Sequence, residues 1–335
     1  MSKTFDLVRG TTVAAIIEDK QAVSAIVENT YRQHGAGRTT NPDSYFLKFA
    51  DRPDDRIIAL PARIQDQGGE DVAGIKWISS FPGNVASDLP RASAILVLNS
   101  MADGYPYACL EAAGISAART AAGAAVTLRA LQSSHPLSDG TVSIFGAGVI
   151  ARTIIDYLIA LELPVRTVLV CDPHPASAEA LIQHIGAKGL TARAVTADEA
   201  LESGVVITAT TAAVPYISRP PRAGQVYLNV SLRDFTVAAL AGVQNLVDDV
   251  DHCLKAQTSP HLAEQAWGSR DFITGTIPEL LSGDLELDPE LGVVVSPFGL
   301  GVLDLAVAAW VHRRAVAQQE AVSIDGFFAS LDRWA

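Results

Sequence analysis

From Thr141 onward the chain alternates short continuous apolar runs with stretches of helical periodicity, and no other feature constrains the fold as tightly. "TVSIF" precedes a helical stretch through Leu161, and "RTVLVCD" precedes another through Ile185. "VVITAT", "QVYLNVS" and "NLVDD" supply further runs. Strands that are apolar on both faces belong in a parallel sheet covered by helices on each side.

The first of these strand–helix turns reads "SIFGAGVIA", the pattern G-x-G-x-x-A with Gly146, Gly148 and Ala151. Gly146 permits a tight turn, Gly148 and its neighbour Ala147 bring backbone close to a pyrophosphate, and Ala151 keeps helix and sheet together. The phosphates would rest on the helix N-terminus. At the end of the second strand stands Asp172, whose carboxylate suits a ribose 2′-hydroxyl and repels a 2′-phosphate, so NAD is expected over NADP. His174 follows, either softening that preference or serving as a loop residue. The fold class expected is α/β, with a Rossmann-type doubly wound parallel sheet.

The rest of the chain has another character. Apolar residues from Val13 to Tyr31 recur at helical spacing. Between Ser44 and Leu98, "SYFLKF", "RIIALPARI", "VAGIKWISS" and "SAILVLNS" read as antiparallel strands separated by turn-forming groups. Tyr107 to Gln132 reads as one long helix of small residues, "QSSHPLSDG" as a linker, and the segment after Asp304 as a final helix. The domains expected are 132–304, holding the dinucleotide, inserted in a discontinuous α+β substrate and dimerisation domain of 1–131 and 305–335. The active site is expected in the crevice at the carboxyl ends of the parallel strands.

Composition removes several classes. With 25 Lys and Arg against 37 Asp and Glu, the net charge of −12 argues against nucleic acid or an anionic membrane as partner. The N-terminal twenty residues carry charges throughout, so neither a signal peptide nor a membrane span is expected. Cys109, Cys171 and Cys253 are odd in number and far apart, which fits a reducing cytoplasm. His252, Cys253 and His261 lack the spacing of a zinc site, and no metal is expected.

Three charged residues stand out. Lys76 interrupts an apolar strand, where an ammonium needs either a negative partner or a stem laid on apolar surface with its head in water. Arg119 is the one charged residue between Glu111 and Arg129, suited to a substrate or to an ion pair. Asp234, in "LNVSLRD", follows a strand and precedes a helix, the position of a base or of a helix cap.

"AGIKWISSFPGN", "GYPYACLEAAGISAARTAA", "SIFGAGVIA" and "LNVSLRD" resemble, in order and spacing, the signatures of the ornithine cyclodeaminase/mu-crystallin family, across nearly the whole chain. "SYFLKF", "RIIALPA" and "DDVDHCLKAQTSPHLAEQ" are closer to one branch, the dehydrogenases of N-(2-amino-2-carboxyethyl)-L-glutamate, associated with siderophore and peptide-antibiotic pathways. The resemblance implies that Lys76 and Arg119 bind substrate carboxylates and that Asp234 is the acid/base. It places Arg91, Arg119 and Thr120 near the dinucleotide phosphates. Val149, Ile150, Thr210, Thr211, Leu228, Asn229, Val230 and Ser231 fall along the cofactor, and Pro297 and Phe298 at its nicotinamide side. The family's early substrate arginine falls at Ser44, so either Lys48 or another cation is expected to substitute or the substrate is held differently. The usual glycine-rich run before the aspartate is "SLRD", a further departure from the cyclodeaminases.

The activity implied is NAD-dependent oxidative hydrolysis of an amino-acid conjugate, releasing NADH, with the partner of Lys76 being a substrate carboxylate. An ornithine cyclodeaminase or related amino-acid dehydrogenase is the second enzymatic reading, and a mu-crystallin-like dinucleotide-dependent binding protein the non-catalytic one. The resemblance also implies a cytoplasmic homodimer joined through the β-rich domain.

Overall fold

The computed structural model describes residues 4–65 and 71–328. It divides into two compact units, one running to Arg119 and resuming at Leu300, the other Thr120–Gly299. The division falls inside the helix Ala113–Leu131, whose Ser116 and Arg119 bond to partners in the first unit. "QSSHPLSDG" lies within the second unit, where His135 is buried and bonded to the Leu291 carbonyl.

The second unit contains an eight-stranded sheet in which every described pairing is parallel. Its order is Thr191–Ala194, Thr167–Cys171, Thr141–Phe145, Val205–Thr208, Val226–Asn229, Val293–Ser296, Gln244–Val247, Ile273–Thr276. The chain proceeds outward from Thr141–Phe145 on one side, then resumes with Val205–Thr208 on the other. That reversal is the topological switch point at which doubly wound folds bind ligands. Val205–Thr208, Val226–Asn229, Gln244–Val247 and Val293–Ser296 are buried at every position, which accounts for their unbroken apolar sequence.

The first unit is built on a second eight-stranded sheet whose centre is the antiparallel run Arg52–Ile64, Val72–Ser80, Ala92–Ser100 and Pro106–Glu111. Side chains alternate across it. Leu60, Lys76, Leu96 and Leu110 form one cross-strand row on the inner face, while Ala59, Trp77 and Ile95 form the next row on the outer face. The helix Gly301–Ala317 packs on the inner face, close enough that a side chain at Gly301 would press on Leu60.

Two elements differ from the sequence expectation. The helical pattern from Val13 to Tyr31 is two helices, Gly10–Ile17 and Lys20–Gly35, the second capped by Asp19 accepting from the Ala22 N–H. The helix expected from Tyr107 begins at Ala113, and Pro106–Glu111 is a strand with Ala108 and Leu110 facing inward. Small residues suit a helix, but pairing with Ala92–Ser100 on one side and Phe5–Val8 on the other overrides that preference.

Candidate active site

In the second unit the switch point carries the glycine loop. Gly146 has φ +92°, and a Cβ there would lie 2.5 Å from the Ala209 carbonyl oxygen, so the turn admits glycine alone. Gly148 precedes the helix Val149–Ala160 with ordinary φ and no protein atom within 4 Å of where a Cβ would stand. The helix has no side-chain cap, and Val149 on its first turn is 60% exposed. An apolar side chain beside uncapped N–H groups, with open space at Gly148, fits a dinucleotide laid across the loop. Ala151 is fully buried, as close helix–sheet packing requires. Asp172 accepts from the Ala147 N–H at 2.7 Å and from the His174 N–H at 2.8 Å. It thus braces the loop while keeping lone pairs for a ribose hydroxyl. His174 is exposed ahead of the helix Pro175–Ala187, Ile150 is partly exposed, and Thr211 is exposed beyond Val205–Thr208.

Asp234 lies in the same unit, fully buried. Its Oδ1 accepts from Thr210 Oγ1 at 2.5 Å and from the Tyr216 hydroxyl at 3.1 Å, and its Oδ2 from Ser231 Oγ. Partial burial and the adjacent Asp234 charge push the Tyr216 phenol up, so it stays a proton donor to the carboxylate. Thr210 and Ser231, expected along the cofactor, therefore spend their hydroxyls on Asp234. Leu228 and Asn229 are buried in the sheet, with Asn229 donating to Ser296 Oγ. Asp234 is not a helix cap, since Thr236 occupies that position. The "SLRD" turn places Leu232 at φ +70°, a left-handed conformation here adopted by a buried leucine. Phe235 stacks on Tyr227 at 5.1 Å and anchors the segment.

Asp248 is a residue that sequence reasoning missed. Its two carboxylate oxygens accept from the Phe298 N–H at 3.0 Å and the Gly299 N–H at 2.6 Å, fixing the segment that contains Pro297 and Phe298. The Phe298 ring meets His252 edge-on at 4.6 Å. Burial pushes the Asp248 carboxyl up, against the pull of those two N–H groups.

The first unit holds the cationic half. Lys76 is 2% exposed, and its Nζ donates to Asp304 Oδ2 at 2.7 Å and to Ser116 Oγ at 3.1 Å. Arg119 Nε donates to Asp304 Oδ1 at 3.1 Å. The question raised by Lys76 is thus answered within the protein: its negative partner is Asp304, not a substrate carboxylate alone. Asp304 was missed because it opens a helix, Gly301–Ala317, that reads as plain apolar core. Burial lowers the Lys76 pKa to about 8, with Asp304 opposing the shift and Arg119 adding to it. Lys76 and Arg119 against one carboxylate leave one formal positive charge in excess. Thr120 continues the helix as the first residue of the second unit. Lys48 lies elsewhere on the first sheet, in the row of Arg56 and Ser80, and Arg91 just precedes Ala92, which pairs with Ser80. Among the described residues no cluster of His, Cys, Asp or Glu could hold a metal ion, and no helix is long and apolar enough to cross a membrane.

Comparison with known proteins shows the family and the fold. The sequence model of the ornithine cyclodeaminase/mu-crystallin family matches residues 5–319. An N-((2S)-2-amino-2-carboxyethyl)-L-glutamate dehydrogenase of Staphylococcus aureus is 28% identical over 79% of this chain and 80% of its own. The crystal structure of CmnK superposes with a TM-score of 0.85 at 30% identity, covering 98% of this chain and all of that one. An archaeal alanine dehydrogenase dimer with bound NAD gives a TM-score of 0.81 at 22% identity, over 97% of this chain and all of that one, and shows the shared fold.

Proposed function

The chain belongs to the ornithine cyclodeaminase/mu-crystallin family, and we propose that within it this protein is an NAD-dependent dehydrogenase of N-(2-amino-2-carboxyethyl)-L-glutamate. The reaction consumes NAD⁺ and water and yields 2-oxoglutarate, 2,3-diaminopropionate, NADH and a proton. The diaminopropionate would go to siderophore or peptide-antibiotic assembly. The observation that carries this reading is the buried Lys76–Asp304–Arg119 cluster, whose net positive charge calls for a carboxylate ligand.

The glycine loop, Val149 and Asp172 hold NAD, which when bound supplies the acceptor for hydride from the substrate carbon. Lys76 and Arg119 take the α-carboxylate of the glutamate half and fix the orientation of its Cα–H. Asp234, aimed by Thr210, Tyr216 and Ser231, acts as base toward the water that adds to the oxidised carbon, and returns a proton to the departing nitrogen. Asp248 fixes the backbone at Phe298, taken here as a substrate-side residue. A non-catalytic binder has no use for a carboxylate aimed by three hydroxyls.

We propose also that the protein is a homodimer joined through the outer face of the antiparallel sheet. Tyr45, Leu47, Trp77 and Ile95 are exposed on that face, with Tyr45, Ala59, Trp77 and Ile95 in one cross-strand row. Contiguous apolar surface of this kind is what a two-fold contact covers.

The test is incubation of pure protein with NAD⁺ and the synthesised conjugate, following NADH absorbance and assaying both products. Ornithine consumed without net NADH would replace this reading with the cyclodeaminase. Ligand binding without turnover would replace it with the crystallin-like role.

A further inference from the structure

The strand Val72–Ser80 carries a second basic centre on the same face as Lys76. Side chains two apart share a face, so Lys76, Ile78 and Ser80 all point inward, with Lys76 and Ser80 about 13 Å apart along the strand. Ser80 lies opposite Arg56, and Arg56 lies opposite Lys48, so these three occupy one cross-strand row. Arg91 joins them, its Nη1 donating to the buried Ser80 Oγ at 2.8 Å. Ser80 thus links Arg91 to the row of Arg56, and burial, then the Arg56 charge, push the Arg91 guanidinium down. Among the described residues none of Lys48, Arg56 and Arg91 forms an ion pair, whereas nearby Arg52 is paired with Asp55.

Three adjacent cations without an ion-pair partner among the described residues, Arg56 and Arg91 partly buried and Lys48 exposed, are an arrangement that repels itself. A bound anion relieves it. Ser44 stands just ahead of the strand Tyr45–Phe49 that carries Lys48. Its Oγ is buried without a hydrogen-bond partner.

We propose that Lys48, Arg56 and Arg91 form a second oxyanion subsite that holds the substrate carboxylates remote from the Lys76–Arg119 end. Arg56 is its central residue. The proposal rests on the dehydrogenase reading and sharpens it: a substrate spanning both centres carries negative charge at both ends. Ornithine and lysine bring an ammonium to the far end and are repelled there, while alanine does not reach it. The same oxyanion chemistry is found in dinucleotide phosphates, and the experiment separates the two sources.

The conjugate is titrated calorimetrically into wild type, Arg56→Gln and Lys48→Gln in the presence of NADH, and steady-state KM is measured for both the conjugate and NAD⁺. The expected result is a rise of about tenfold or more in Kd and KM for the conjugate in Arg56→Gln, falling on KM more than kcat. NAD⁺ affinity holds, and Arg56→Lys recovers most of the loss. L-Alanine, as a monocarboxylate probe, binds wild type and Arg56→Gln alike. Unchanged affinity for the conjugate overturns the subsite, and so does a loss that falls on NAD⁺, which would assign the cluster to phosphate. Arg56-dependent binding without NADH formation overturns the reaction and keeps the subsite. Turnover indifferent to Arg56 does the reverse.

Discussion

An ammonium shut away from water costs several kcal/mol unless charge meets it, and Lys76 finds that charge 228 positions along the chain. Burial still outweighs the attraction of Asp304, leaving the pKa at about 8 in place of 10.5. Between those two values the folded chain binds fewer protons than the unfolded one. Stability therefore rises with pH through that window, and below it the charged lysine costs about 3 kcal/mol. Substrate binding slopes the other way, since a neutral amine holds no carboxylate. We expect kcat/KM for the conjugate to fall above about pH 8 in wild type and to stay level in Lys76→Arg, whose charge does not titrate there. A wild-type profile level to about pH 10 would remove Lys76 from the binding step. Asp304→Asn deletes the carboxylate whose charge favours the ammonium, so in that variant the fall should begin below pH 8. The sequence displayed Lys76 as a problem but could not display its partner. Nothing local marks Asp304 among the apolar residues of its helix, and only the folding of that helix onto the inner face brings the two together.

At the scale of elements, the glycine loop was legible because its constraints are local. The two glycines nevertheless serve different ends, and their variants should separate folding from binding. Gly146→Ala forces a side chain into the left-handed region and against the Ala209 carbonyl; it should lower stability by more than about 1 kcal/mol in a denaturant titration. Gly148→Ala meets open space and has ordinary backbone angles, so its midpoint should hold while affinity for NAD⁺ drops about tenfold or more. Equal NAD⁺ affinity in Gly148→Ala would show that the loop does not carry the pyrophosphate. Pro106–Glu111 was illegible for the opposite reason. Ala108, Leu110 and Glu111 favour a helix, and what makes the segment a strand is pairing with Phe5–Val8, about a hundred residues away. Asp234 stood between these cases. Its place after a strand was readable, but the three hydroxyls that aim it come from Thr210, Tyr216 and Ser231, of which only Ser231 is a near neighbour in sequence.

For the molecule as a whole, the alternation that buries Lys76 exposes Trp77. One face of the antiparallel sheet is covered by the helix bearing Asp304; the other presents Trp77 at 41% and Ile95 at 46% exposure as cross-strand neighbours. Isolated exposed apolar residues need no explanation, but a row running through Tyr45, Ala59, Trp77 and Ile95 is a continuous surface. Acidic net charge opposes association of two copies in general, so a stable pair requires a specific apolar contact strong enough to overcome it. Lysines at Trp77 and Ile95 would set four cations, two from each copy, facing one another across such a contact. The double variant Trp77→Lys/Ile95→Lys should therefore sediment as a monomer where wild type sediments at twice the chain mass. Its thermal midpoint should stay close to the wild-type value at low protein concentration, because neither side chain supports the core beneath the sheet. A double variant that remains dimeric would place the interface on a different face and leave this row to some other partner.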